Sequence, residues 1–212
     1  MRILAICVAE PTTVHFAGKE VTTSIFKTPV DGPVDVDSDG LAWDRQADLT
    51  LHGGPNKAVY AYPIDHYDYW QRALDRPRLD SAQFGENLTV AGAPDGSVVV
   101  GSRYRFGDVI VRVTQPRIPC HKLGARLHDE RFPNRFWEAG RLGYYFAIEH
   151  PGSIEAGMLG QRLDEPDHGI TVSDLHRIVV SKNTNGAHRA LANLSDLDGG
   201  WLRRLRQVLA TD

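Results

Sequence analysis

The stretch that decides the fold runs from Val109 to Lys122 and reads VIVRVTQPRIPCHK. In Val109–Thr114, valines alternate with other residues, which is typical of a strand with one well-buried face. Pro116 and Pro119 then restrict the backbone, so the pattern predicts that the strand gives way to a shaped loop. That loop carries Cys120, one of only two cysteines in the 212 residues.

Cys120 is flanked by cationic side chains, Arg117 before it and His121 and Lys122 after it. Neighbouring cations lower the pKa of a thiol and favour the reactive thiolate. A buried, inert cysteine is the alternative, because unpaired cysteines are commonly small core residues. Cys7, which lies inside an apolar run near the N-terminus, is predicted to be such a structural residue.

Composition and charge restrict the class of protein. The 42% hydrophobic and 24% charged residues are typical of a soluble globular protein. The net charge of -3 argues against a general nucleic-acid-binding protein, which carries a basic excess. Two cysteines are too few for a disulfide framework and favour a reducing, cytoplasmic compartment. No apolar run approaches the roughly 20 residues of a membrane span, so no membrane partner is expected.

The first three quarters of the chain are dominated by short β patterns separated by turns. No βαβ alternation is present, so residues 1–165 are predicted to form a mainly β, barrel-like α+β domain with peripheral helices. A turn is predicted at Glu10–Thr13, and helices at Ile64–Leu74, His121–His128 and Phe132–Ala139. The predicted strands are Ile3–Val8, Val21–Phe26, Gly32–Val36, Ala58–Tyr62, the end of Phe84–Val90, Ser97–Val100, Arg103–Phe106, Val109–Thr114, Gly143–Glu149 and a β pair within Ile154–Leu163.

From about Ile170 the pattern becomes helical. Thr171 and Asp174 have the spacing of a capping box, which predicts a helix start. Two further short helices are predicted over His188–Leu194 and around Leu202–Leu209. The segment 170–212 is therefore predicted to be a small three-helix subdomain that packs against the body for stability.

The loop His52–Lys57 is a candidate anion site. Its Gly53-Gly54 pair lets backbone N–H groups turn toward a ligand, and His52 and Lys57 can add positive charge. The Walker spacing is absent, so this is not a P-loop. A plain turn between strands is the alternative.

Glu86 and Asn87 form a second polar candidate, at the entrance of a predicted strand. An acid and an amide there could bind a polar ligand, or they could simply form an Asx-type turn. The histidines show no His-Glu-x-x-His spacing and the cysteines no Cys-x-x-Cys, so a structural zinc site is not expected.

Together these motifs resemble the MOSC domain family, named for the C-terminal domain of molybdenum cofactor sulfurase, and most closely its bacterial YiiM-type subgroup. The C-terminal three-helix segment also resembles the extension found in this subgroup. Trp43 departs from the pattern, because the subgroup usually has glycine there, and Gly157–Gly160 lacks the acidic residue expected after the glycine. The residues that carry the resemblance are Lys27–Val30, Asp44–Asp48, His52–Tyr62, Phe84–Leu88 and Gln115–Cys120.

The resemblance implies a fold that binds the molybdenum cofactor, a pterin with a dithiolene and a phosphate. It implies that Cys120 ligates molybdenum, in line with the preference of soft sulfur ligands for such a metal. Glu86 and Asn87 are implied to bind the pterin ring. The implied phosphate-binding residues are His52, Gly53, Gly54, Lys57 and Arg117.

The resemblance further implies a detoxifying reductase that converts N-hydroxylated compounds, such as hydroxylamino purines, to amines. His121 or His52 could relay the protons, because histidine titrates near neutrality. No flavin, nicotinamide or iron–sulfur motif is present, so an external electron-donor protein is expected. A sulfur carrier with a persulfide on Cys120, and a storage or delivery protein for the pterin, are the alternatives. A family association with pyridoxal phosphate binding is also open.

Overall fold

A computed structural model describes residues 1–47 and 54–210. Within them the chain forms thirteen strands and six α-helices. The helices are α1 (Tyr67–Ala73), α2 (His121–Leu127), α3 (Phe132–Ala139), α4 (Val172–Val180), α5 (Thr184–Asn193) and α6 (Gly199–Leu209). The strands are β1 (Arg2–Val8), β2 (Thr12–Phe16), β3 (Lys19–Thr23), β4 (Thr28–Val30), β5 (Val34–Asp37), β6 (Gly40–Leu41), β7 (Val59–Pro63), β8 (Leu88–Ala91), β9 (Arg103–Phe106), β10 (Val109–Pro116), β11 (Tyr144–His150), β12 (Gly152–Ile154) and β13 (Gln161–Asp164).

Eight strands form one curled, half-barrel sheet in the order β13-β9-β10-β11-β7-β8-β1-β4. Its neighbours are antiparallel except for β7 and β8, which run parallel. Two smaller sheets contain β12-β5-β6 and β2-β3. The predicted α+β, mainly β and barrel-like fold is confirmed.

Strand β10 lies between β9 and β11, and its alternation places Val109, Val111 and Val113 in the core. These three side chains are at most 4% exposed, as the sequence pattern predicts. Because β10 is fixed on both sides, the loop that follows Pro116 leaves the sheet from a defined position.

An aromatic cluster supports the sheet from α1 and α3. The rings of Trp70 and Phe136 stack with centroids 5.4 Å apart, and Phe84 and Phe132 pack against them. Phe84 is fully buried in this cluster. The cluster therefore anchors the turn that leads to Glu86.

The three C-terminal helices begin at well-formed caps. Thr171 and Asp174 make the predicted capping box of α4, and Asp198 caps α6 by accepting a hydrogen bond of 2.9 Å from Trp201 N. The indole Nε1 of Trp201 donates to Pro116 O at 2.8 Å. Helix α6 is thereby held against the loop that carries Cys120. The division into 1–165 and 170–212 stays a prediction.

Three local predictions are wrong. Thr12 and Thr13, predicted as turn, open β2, which forms a hairpin with β3 because Ala17 and Gly18 adopt the positive φ angles of a tight turn. Val98, Val99 and Val100 are buried, but Ser97–Val100 forms turns with one bridge from Val99 to Thr171, since short apolar runs do not by themselves distinguish strands. The predicted pair in Ile154–Leu163 does not form, because β12 pairs with β5 and β13 with β9.

No helix in the described residues is both long enough and apolar enough to cross a membrane.

Candidate functional site

Two adjoining clefts meet at Cys120. We call them the inner cleft, with a volume of about 100 Å³, and the outer cleft, with a volume of about 680 Å³. Both are lined by Cys120, Lys57 and Tyr145, so the thiol lies where one passes into the other. The other charged and polar residues of the inner cleft include Lys27, Asp44, Gln46, Tyr60, Asn87, Arg117 and Lys122.

Cys120 occupies the position just before α2. Its backbone is extended, with φ -133° and ψ 173°, and its carbonyl accepts a hydrogen bond of 3.0 Å from Leu123 N. The side chain is half-buried. The end of β10 and the start of α2 thus hold the thiol at the cleft wall, and the prediction of a shaped loop is confirmed.

Arg117 lies on the floor of the inner cleft and is only 7% exposed. Its guanidinium stands 4.7 Å from the centroid of the Tyr60 ring and donates a hydrogen bond to Phe84 O. Cation–π contact and hydrogen bonding compensate part of the cost of burying the charge. A fixed positive charge therefore lies beneath the thiol loop.

A buried ion pair forms part of the wall of the inner cleft. The carboxylate of Asp44 accepts hydrogen bonds from Lys27 Nζ, from Ala9 N at 2.8 Å and from Asn87 Nδ2 at 2.8 Å. The side chains of Lys27 and Asp44 are 8% and 6% exposed. Burial lowers the pKa of Lys27, while the charge and hydrogen bond of Asp44 oppose that shift. This wall is therefore rigid and internally paired.

Asn87 lines the inner cleft as predicted, but its amide is already engaged. Its Oδ1 accepts a hydrogen bond from Tyr60 N at 3.1 Å, and its Nδ2 donates to Asp44 and to Cys7 O. Asn87 therefore joins β7, β8 and β1 behind the cleft. The adjacent Gly85 has φ +77°, and a Cβ there would lie 2.5 Å from the Ile25 side chain, so glycine is required.

The structure does not place Glu86 at the cleft, contrary to the sequence-based expectation. Its side chain is fully buried and accepts hydrogen bonds from Phe84 N at 2.9 Å and from the Tyr67 hydroxyl. Burial raises the pKa of the Glu86 carboxyl, and the Tyr67 hydrogen bond opposes that shift. Glu86 and Asn87 lie in the turn that precedes β8, and their side chains leave it in different directions, so Asn87 reaches the cleft and Glu86 does not.

The predicted anion loop is only partly described. His52 and Gly53 lie outside the described residues. Gly54 has φ +102°, and Lys57 lines both clefts. The Lys57 ammonium forms an ion pair of 2.5 Å with Asp198, so this cleft lysine is joined to the start of α6. Although burial opposes it, the Lys57 hydrogen bond holds the pKa of Asp198 below its ordinary value.

His121, the predicted proton donor, is exposed and lines the outer cleft next to Cys120. Cys7 is fully buried in β1, and burial raises the pKa of its thiol to about 12. The prediction that Cys7 is structural is confirmed.

Sequence reasoning assigned no role to several residues that line the inner cleft. Lys27 and Asp44 lie in motifs that carry the family resemblance, but their side chains meet only in the folded sheet. Tyr145 comes from β11, whose pairing with β7 brings it opposite Tyr60, with ring centroids 5.1 Å apart. No local signal relates residues so far apart in sequence.

The residues present fit a phosphopterin with a metal. Arg117, Lys57 and Lys122 offer positive charge for a phosphate, and the Cys120 thiol offers a soft ligand. The Oε1 of Gln46 is a buried acceptor that has no hydrogen-bond partner among the described residues, and it suits an N–H of a pterin ring. The inner cleft is smaller than the roughly 300–1,000 Å³ of a typical ligand site, so such a group would extend past Cys120.

A curled, mainly antiparallel sheet with a cysteine before a helix, set over buried cations, defines a class of α+β domain. The MOSC domain family matches residues 48–158. Over 201 residues the chain is 35% identical to protein YflK of Bacillus subtilis, covering 94% of this chain and 90% of YflK. The chain belongs to the MOSC domain family.

Other relatives agree with this assignment. The crystal structure of YiiM from Geobacillus stearothermophilus aligns with a TM-score of 0.80 and 29% identity over 98% of both chains. A protein of Gibberella moniliformis named "Reductase" is 34% identical over 172 residues, which are 79% of this chain but 30% of that protein. The predicted YiiM-type MOSC assignment is confirmed. MOSC domains are associated with binding of the molybdenum cofactor in general.

Proposed function

We propose that this protein is a molybdenum-cofactor-dependent oxidoreductase that reduces N-hydroxylated compounds, such as hydroxylamino purines, to amines. The observation that carries the proposal is the Cys120 thiol at the junction of the two clefts, beside the buried guanidinium of Arg117. The MOSC family and the relative named as a reductase support an oxidoreductase or a cofactor-sulfurase-like role.

Cys120 would hold the metal, because a thiolate joins readily to a metal that already has sulfur ligands. Arg117, Lys57 and Lys122 would hold the phosphate, and Gln46 would accept a hydrogen bond from the pterin ring. His52, Gly53 and Gly54 would complete the anion site. Lys27 would contribute little direct binding, because its pair with Asp44 is almost fully buried, whereas the pair of Lys57 with Asp198 is more exposed.

The reaction cleaves the N–O bond of the substrate: R–NHOH, two electrons and two protons give R–NH2 and water. When bound, the reduced cofactor supplies the two electrons. His121, exposed beside Cys120 on the outer cleft, would deliver a proton to the leaving oxygen. The electrons come from an external electron-donor protein, and a reducing cytoplasm keeps Cys120 available as a thiol.

The test is reduction of a hydroxylamino purine by protein purified from a host that makes the cofactor, with reduced viologen as electron donor. Wild type turns over and Cys120→Ser does not. His121→Gln loses about a hundredfold in kcat, because a positioned acid typically contributes at least that much. Absence of turnover in metal-loaded wild type contradicts the proposal and favours storage or delivery of the pterin. A persulfide on Cys120 without metal, seen by mass spectrometry, favours the sulfur carrier.

A further inference from the structure

The outer cleft carries two arginines, Arg203 and Arg204, to which the cofactor assignment gives no role. It lies between the Cys120 loop and the first turns of α6, and its volume of about 680 Å³ falls within the range of roughly 300–1,000 Å³ for small-molecule sites. It reaches Cys120 and His121, the thiol and the proposed proton donor. A ligand in this cleft would lie beside the reacting groups.

In the outer cleft the acidic side chains have ion-pair partners, whereas two arginines have none within the residues that the structure describes. Its acidic side chains, among the described residues, are Asp196 and Asp198, and each is already paired: Asp196 with Arg112 at 2.5 Å and Asp198 with Lys57 at 2.5 Å. Arg203 and Arg204 line the same cleft without such an ion pair in the described part of the chain. The cleft therefore presents a net positive rim on α6.

Arg203 and Arg204 are held differently. Arg204 stands 5.2 Å from the centroid of the Trp137 ring and donates to Gly200 O at 3.2 Å, so its head is oriented. Burial, and then the neighbouring charge of Arg203, lower the pKa of Arg204, while the charge of Asp198 opposes that shift. Arg203 is exposed and can move onto a ligand. Because both arginines line the outer cleft, either head can meet an anionic group of a ligand bound there.

We propose that the outer cleft is the substrate site, and that Arg203 and Arg204 recognise an anionic group on the substrate. The preferred substrates are then N-hydroxylated compounds that carry a phosphate, such as nucleotides, over the neutral bases and nucleosides. This inference rests on the proposed reductase function and specifies its substrate class. The cleft is concave and of small-molecule size, which favours a substrate over a docking protein.

The first experiment measures binding without turnover. Calorimetric titration of the holoprotein compares adenosine 5′-monophosphate with adenosine, since neither can be reduced. The monophosphate is expected to bind about tenfold to a hundredfold more tightly, the effect of one or two charge-assisted hydrogen bonds. Arg203→Gln and Arg204→Gln remove most of this preference. The matched control is Arg206→Gln, because Arg206 is exposed on the same helix but does not line the cleft.

The second experiment measures kcat/KM for N6-hydroxyadenosine and its 5′-monophosphate with the same variants. Arg203→Gln lowers the value for the monophosphate about tenfold more than the value for the nucleoside, and it leaves molybdenum content unchanged. Equal binding of the two adenosine compounds by wild type overturns the inference, as does an equal loss in Arg206→Gln. Loss of molybdenum in Arg203→Gln would show that the arginines hold the cofactor. Failure of the reductase proposal is recognised separately, by absence of metal or of turnover on the neutral nucleoside.

Discussion

The inner and outer clefts meet at one thiol, but they hold their charges in opposite ways. In the inner cleft Lys27 and Arg117 are almost fully buried, and each is fixed by contacts within the protein. In the outer cleft Arg203 is exposed on α6, and the acids around it are paired elsewhere. The charges of the inner cleft are thus held in place before any ligand binds, whereas Arg203 in the outer cleft is free to bind and release an anionic ligand.

The largest effect is expected from Asp44→Ala, which removes the partner of a buried lysine and two further hydrogen bonds. Leaving Lys27 unpaired should lower the free energy of unfolding by about 3–5 kcal/mol. Urea denaturation measures this. The control is Arg45→Ala, which breaks an exposed pair with Glu10 and should cost less than about 1 kcal/mol. Equal losses of unfolding free energy in the two variants would show that the Lys27–Asp44 pair does not stabilise the inner cleft.

Asp198→Ala tests the connection between the clefts. It removes the cap of α6 and the ion pair with Lys57, for an expected loss of about 1–2 kcal/mol. The matched control is Asn183→Ala, which removes the cap of α5 alone. Thermal unfolding should show the larger shift for Asp198→Ala. If both shift alike, the ion pair contributes nothing to the position of α6.

Glu86→Gln tests whether the buried carboxyl of Glu86, which lies behind the inner cleft, makes the stability of the protein depend on pH. Burial raises the pKa of Glu86, so above its ordinary value of 4.5 the folded state binds more protons than the unfolded state. The stabilisation by the neutral carboxyl is complete below that pH and is lost as pH rises through the folded pKa. Wild type should therefore lose stability over this window relative to Glu86→Gln. Denaturant titrations at several pH values that run parallel for both proteins would contradict the assignment.

The smallest effect concerns Trp43, which precedes Asp44 at the inner wall. Trp43 has φ +64° and is 62% exposed, so it holds a left-handed conformation with little burial in return. Trp43→Gly should raise the free energy of unfolding by about 0.5–1 kcal/mol, the left-handed penalty less the added freedom of the unfolded chain. Trp43→Ala retains the strain and should show no gain. A loss of stability in Trp43→Gly would show that the indole contributes contacts of its own.

The sequence predicts what depends on local pattern. The alternation of Val109, Val111 and Val113, the loop before Cys120 and the capping box at Thr171 are all where the pattern places them. The positive φ of Trp43 suits the glycine that the family resemblance implies at that position.

What the sequence does not predict depends on strand register and burial. Lys27 pairs with Asp44, which lies 17 residues later in the chain. Lys57 pairs with Asp198, which lies much later in the chain, at the start of α6. Glu86 and Asn87 are adjacent in the motif, yet only the folded turn before β8 decides which of them faces the cleft. The sequence does not predict the β2–β3 hairpin, because its turn contains Ala17, which is not a typical residue for positive φ.

The central claim is that Cys120, and not merely the fold, holds the metal. The direct measurement is the molybdenum content of protein purified from a cofactor-producing host, for wild type, Cys120→Ser and Cys7→Ala. Wild type and Cys7→Ala should contain molybdenum in an amount close to that of the protein, and Cys120→Ser should contain almost none. Wild type without molybdenum, or Cys120→Ser with as much as wild type, would contradict the account.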